Sequence, residues 1–143
     1  LAANALSMRA LKTVLEQVMT DAVYARMFVT ARAIENGVGQ LIEKYHLPWN
    51  VQRLGACVAY DFDRKPPASG GEAMRNKDGE LDHLLHLYFL NRGILLTPFQ
   101  CMAVVSPNTT EEQAMRHTVV LEMLIKELVE TISVPANSGT DPA

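Results

Sequence analysis

The sequence predicts a two-layer α+β domain in which helices cover one face of a sheet of about three strands. Three observations predict it. Apolar residues recur at helical spacing in several long stretches. One stretch, QRLGACVAYDF, changes to a period of two, the signature of a strand. Two shorter apolar runs, ILL and CMAVV, are bounded by turn residues and are too brief for helices. The order reads helix, helix, strand, helix, strand, strand, helix.

Residues 2–19 read as the first helix, because Met8, Leu11, Leu15 and Val18, with Val14 beside them, share one face. No N-cap is evident before its first turn. Thr20 caps a second helix that runs to about Tyr45, with Asp21 favourable to its N-terminal dipole. Gly37 and Gly39 each weaken that helix by about 1 kcal/mol relative to alanine, which suggests close packing there. Pro48 ends it. In the next strand, Leu54, Ala56, Val58, Tyr60 and Phe62 form one face. The stretch DRKPPASGGEAMRNKDG reads as a long mobile loop.

A third helix spans roughly Glu80 to Arg92, with Leu81, Leu84, Leu85 and Tyr88 as its apolar stripe and Gly93 at a left-handed C-cap. ILL and CMAVV are the second and third strands. Thr109 and Glu112 match a capping box for the last helix, whose buried face is set by Leu121, Leu124, Ile125, Leu128, Val129 and Ile132. The chain divides into a first helix (1–19), an α+β domain (20–134) and a polar tail (135–143) expected to be disordered.

Composition narrows the partners. The chain has 143 residues, 48% hydrophobic and 20% charged, enough for one domain with a core. A formal charge of −3 and the lack of a basic stripe argue against nucleic acid. No apolar run approaches the roughly 20 residues of a membrane span, and no secretory-signal pattern is visible. Cys57 and Cys101 sit apart within apolar runs and read as reduced core thiols, which places the protein in the cytoplasm.

Chemistry-bearing residues have ordinary readings. His83 and His86, three apart on a helix with Asp82 and Glu80 nearby, could offer two metal ligands, but a third with matching spacing is missing. No Ser or Cys motif points at His46 or His117. GVGQ and SGG do not follow a strand and open a helix as a phosphate cradle must. Trp49 reads as a structural anchor, and the methionines as core filling. From these residues alone no catalytic, cofactor-binding or metal residue is assigned.

The stretches HLYFLNRGILLTPF and MAVVSPNTTEEQAMRH resemble the C-terminal domain of class III pyridoxal-phosphate aminotransferases, on the side of the family similar to glutamate-1-semialdehyde 2,1-aminomutase. That family has a helix ending in an Arg-Gly turn, a strand finishing near proline, a strand ending in a Ser-Pro type turn, and a final helix with an acidic start. LAANALSMRALKTVLEQV looks like the segment immediately after the family's Gly-Asn-Pro motif, and LPWNVQRLGACVAYDF resembles the domain's first strand. The likeness runs in order to about Ile132.

The resemblance implies a small domain of a fold-type I pyridoxal-phosphate enzyme, joined through helix 1–19 to a large domain. That large domain carries the Schiff-base lysine, the aspartate for the pyridine nitrogen and the phosphate cradle. No lysine from Lys12 to Lys126 matches the catalytic one. Pyridoxal phosphate therefore belongs to the full-length enzyme, none is expected in this chain, and the chain alone is expected to be inactive. The family's dimeric enzymes imply a homodimer when intact. A chain without its large domain is expected to self-associate through helix 2–19. Ala103 stands near the place of the family's substrate-carboxylate arginine, so the usual clamp is not implied. Gln100, Cys101, Met102 and Ala103 are the expected substrate-entrance segment. Two other readings remain: a free-standing α+β binding module, and a small metal enzyme built on His83 and His86.

Overall fold

The structure is a computed structural model that describes residues 4–97 and 101–133. Helix α1 (Ala5–Thr13) continues into a π-helical turn at Val14–Val18, and α2 spans Asp21–Lys44. Strands β1 (Asn50–Leu54) and β2 (Cys57–Asp61) come next, then α3 (Gly70–Arg75) and α4 (Gly79–Leu90). Strand β3 (Met102–Val104) and helix α5 (Glu111–Ser133) complete the order. The sheet is three-stranded and antiparallel, β1-β2-β3. It is the expected α+β arrangement. The polar tail 135–143 lies outside the described residues, as does the Ile132 side chain.

Helices α2, α4 and α5 build the core with one face of the sheet. Ala31 and Val38 of α2, Val58 of β2, Leu85 and Phe89 of α4 and Leu121 of α5 are fully buried. Gly37 lets α2 and α5 approach closely: a Cβ there would lie 2.3 Å from Thr118 Oγ1. At Gly39 the nearest atom, Val51 Cγ1, is 3.9 Å away, so close packing explains Gly37 and not Gly39. Thr20 caps α2 as expected, its side chain accepting from Val23 N.

Five expectations are corrected. First, α1 does have a cap, since Asn4 accepts from Ser7 N at 2.9 Å. Second, the period-two stretch is a hairpin and not one strand. Leu54 pairs with Cys57 across the loop Gly55-Ala56, with Gly55 at φ +60°. A two-residue loop preserves alternation in the sequence while reversing the chain. Leu54 therefore leaves the face of Val58 and Tyr60, and is 86% exposed.

Third, the supposed loop after β2 holds helix α3. Ser69 caps it by accepting from Glu72 N, and Glu72 reaches back to Ala68 N at 2.8 Å. Fourth, Ile94–Leu96 is not a strand. Ile94 N donates to Phe89 O at 3.0 Å, so it closes the end of α4 instead of joining a ladder. Gly93, at φ +75°, takes the predicted left-handed position. Fifth, the capping box of α5 is one residue further on. Gln113 N donates to Thr110 Oγ1 at 3.2 Å and Thr110 N donates to Gln113 Oε1 at 3.0 Å. Thr109 is used by the preceding turn, where it accepts from Ser106 N.

Helix α1 and the π-helical turn stand apart. Leu11 and Leu15 of the predicted apolar stripe are 51% and 57% exposed, and no residue of Ala5–Val18 is buried. No helix among the described residues is long and apolar enough to cross a membrane.

Candidate functional site

Strand alternation divides the sheet into two faces. Val51, Arg53, Val58, Tyr60 and Ala103 face the helices, and Arg53 pairs there with Glu35 of α2 at 2.7 Å. Gln52, Leu54, Ala59, Asp61, Met102 and Val104 point the other way, to a face that no long helix among the described residues covers, where Gln52, Leu54 and Val104 are exposed. The short helix α3 returns over one end of this bare face. Between them lies a cleft of about 520 Å³, a size suited to a small molecule.

The return of α3 is fixed by a polar chain. Asn76 donates to Asp63 Oδ2 at 2.9 Å, Asn50 donates to Asp63 O at 2.7 Å, and Gln52 donates to Asn50 Oδ1 at 3.2 Å. Beneath it, Ala59, Phe62, Pro67, Ala73 and Met74 give the cleft apolar walls. Its polar groups are Gln52, Asp61, Lys77, Asp82 and the Cys101 thiol.

Cys101 donates its thiol proton to Asp82 Oδ1 at 3.2 Å, and Lys77 Nζ stands 3.9 Å from Asp82 Oδ2. Burial, and then the bond to Asp82, push the Cys101 thiol well up, so it stays protonated and unreactive at neutral pH. The Tyr60 phenol, within electrostatic reach of Cys101 and Asp82, is also raised, chiefly by burial. Its hydroxyl is buried without a hydrogen-bond partner among the described residues, a loss of about 1–3 kcal/mol.

The predicted entrance segment is divided by the same alternation. Cys101 lines the cleft. Met102, paired with Ala59, lies on the bare face. Ala103 pairs with Val58 and is buried toward the helices. Gln100 lies outside the described residues. Gln52, Asp61 and Lys77 were missed by sequence reasoning, and Asp82 was noted only as a neighbour of His83 and His86. Their one sequence signal is Asp61, the charge that ends the alternating run. Nothing local announces that α3 folds back over the strand.

The histidines are dispersed. His83 is exposed, while His86 Nδ1 lies 3.1 Å from Leu96 O. Among the described residues no group of three or more His, Cys, Asp or Glu is placed to hold a metal ion. His117 is buried against the rings of Tyr60 and Phe89, both its nitrogens lack partners among the described residues, and burial lowers it to about 4.

Pyridoxal phosphate needs an amine for its aldehyde and donors for its phosphate. The amine in the cleft, Lys77, faces Asp82, and Asp61 adds a second carboxylate. A phosphate group would meet like charge there, so the described residues do not fit this cofactor.

No family model matches the chain. Solved structures do. A glutamate-1-semialdehyde aminomutase from Pseudomonas aeruginosa, also solved in a variant form in complex with PMP, is 42% identical over 89% of this chain, with a TM-score of 0.86. This chain spans 28% of that protein's length. An omega-transaminase from Sphaerobacter thermophilus matches 87% of this chain and 28% of its own, at 18% identity and a TM-score of 0.71. A beta-phenylalanine aminotransferase from Variovorax paradoxus matches 76% and 24%, at 19% identity and a TM-score of 0.61. At such identities the last two show the fold alone. The resemblance to class III pyridoxal-phosphate aminotransferases is thus borne out: over these residues the chain is similar in sequence and fold to a segment of glutamate-1-semialdehyde aminomutase, and in fold to a segment of the omega-transaminases.

Proposed function

We propose that this chain is the C-terminal small domain of a pyridoxal-phosphate enzyme of the aminotransferase or aminomutase kind, and that it closes one side of the substrate site in the intact enzyme. The observation that carries the reading is the 42% identity over 89% of the chain to an aminomutase of which it spans 28%. Residues 1–19 are then the helix leading from a large domain, and the intact protein is a cytoplasmic homodimer catalysing amino-group transfer. The cofactor and the catalytic lysine belong to the large domain.

What this chain contributes is placement. The bare face offers an ordered wall through Ala59 and Met102, flanked by the cleft. Such a wall orients a substrate and excludes water without touching the bonds that change.

The test is to read the gene upstream of Leu1. The reading expects a Gly-Asn-Pro motif before it and, further upstream, a large α/β region whose lysine forms an imine with pyridoxal phosphate, visible in the absorbance of the intact enzyme. A reading frame that opens within a few residues of Leu1 refutes it and favours the free-standing module.

A further inference from the structure

We propose that the apolar groove between α4, α5 and the connection from α2 to β1 is a docking site for a basic amphipathic helix of another protein. The proposal goes beyond the aminotransferase reading and uses none of the residues that line the cleft.

An uncovered part of the predicted core marks the groove. The sequence places Leu81, Leu84, Leu85 and Tyr88 on one apolar stripe of α4. Leu85 and Tyr88 are buried, but Leu84 is 39% exposed. It borders a concavity of about 610 Å³, walled by Leu47 and Trp49 before β1, Leu81 and Leu84 of α4, and Ile125 and Leu128 of α5. Such a groove between two helices suits the apolar face of a third. The same walls favour a helix over an extended segment. Apart from two carboxylates and the Trp49 indole N–H they offer no polar side chain, so an extended main chain would go largely unpaired there, whereas a helix satisfies its own amides and carbonyls.

Charge selects the polar flank. Both charged residues that line the groove are acids, Asp78 and Glu80, and no lysine or arginine lines it. Asp78 is engaged at the start of α4, where it accepts from Glu80 N at 3.1 Å and Leu81 N at 3.0 Å. Glu80 is exposed and has no ion-pair partner among the described residues. The nearby cation Lys77 is turned to Asp82, at 3.9 Å. The whole chain carries a formal charge of −3. Lysines or arginines beside the partner's apolar face are therefore complementary to the groove and to the chain, and an acidic partner is repelled.

The experiment titrates the isotope-labelled 143-residue chain with a synthetic peptide whose leucines recur at helical spacing and are flanked by lysines. One control carries glutamates in place of the lysines. The other keeps the composition but shuffles it so that no apolar stripe forms. The lysine peptide is expected to shift the backbone amide signals of Trp49, Leu84 and Leu128, the glutamate peptide to bind about tenfold more weakly or worse, and the shuffled one to leave the signals in place. Glu80→Gln is expected to weaken the lysine peptide about threefold, the size of one exposed ion pair, and Leu84→Glu to abolish the shifts. If Leu84→Glu does not fold, the comparison of the three peptides decides. An equal response to the lysine peptide and either control, shifts confined to other surfaces, or no shift overturns the proposal. Concentration-dependent shifts of the same amides without peptide would identify a second copy of this chain as the occupant and overturn it too. Because binding is read on this chain alone, any of these results leaves the aminotransferase reading to its own genetic test.

Discussion

Substituting Gly37→Ala tests the closest contact in the core. On an isolated helix the change would stabilise by about 1 kcal/mol, because alanine is the better helix former. Here the new methyl would meet Thr118 Oγ1 at 2.3 Å, Cγ2 at 2.9 Å and Cβ at 3.1 Å. Thr118 cannot turn out of the way cheaply. In a helix threonine chooses between two χ1 positions, and both of its outer atoms already face Gly37. The helices α2 and α5 must separate instead, and overpacking of this kind costs about 1–3 kcal/mol. So short a contact puts the cost in the upper part of that range, about 2–3 kcal/mol, and after the helix-propensity gain of about 1 kcal/mol the net expectation is a loss of about 1–2 kcal/mol, read as a fall in Tm of about 3–7 °C with little change in helix content.

The double variant Gly37→Ala, Thr118→Ala removes both outer atoms and should recover most of the loss. That pattern is a coupling of about 1–2 kcal/mol in a double-mutant cycle. Denaturant unfolding followed by circular dichroism, with equal slopes across the four proteins, measures it. A Gly37→Ala protein as stable as the parent, or more stable, would refute the close approach of α2 and α5.

Acid should weaken the fold through His117. Its folded pKa, about 4, lies below the usual 6.5, so the unfolded chain binds the extra proton between those values. Stability is complete above pH 6.5 and falls by about 3 kcal/mol as pH drops to 4. His117→Phe should flatten that segment of a stability-against-pH curve, and a persistent slope would contradict the assignment. Thr110→Ala is expected to cost about 1 kcal/mol by removing the cap of α5, whereas moving the loss to Glu112→Ala would restore the box predicted from sequence. Sedimentation of the chain should show concentration-dependent association through α1. Leu11→Glu with Leu15→Glu should abolish it and leave the unfolding midpoint unchanged, because neither side chain is buried; a parent chain monomeric at all concentrations would count against the expectation.

The helices were legible because their signals are local. Spacing of apolar residues located α2, α4 and α5, and Thr20 and Gly93 marked a start and a stop that the structure retains. The sheet was harder. Gly55-Ala56 reverses the chain in two residues, so the alternation continues through the turn and hides it. Ile94–Leu96 has strand composition, yet its first amide is taken by the end of α4. The bare face and the cleft were legible only in part. Cys101, Met102 and Ala103 were singled out as one run, and which of them faces the bare side is set by the pairing with β2, which the run does not carry. The partners Asp61, Lys77 and Asp82 come from three separate segments, and only the tertiary fold brings them together.

Strand β3 has a further consequence. It is held at both ends by main-chain atoms of the hairpin: Tyr60 N donates to Cys101 O and Val105 N donates to Ala56 O, each at 3.0 Å. The anchorage does not depend on which side chains β3 carries outward. Met102 and Val104 can therefore be replaced, lengthened or given charge while the backbone beneath them keeps its course. A wall built this way separates heredity of shape from heredity of preference. Mutation can retune what meets the sheet one outward residue at a time, and the cost to folding stays small at each step.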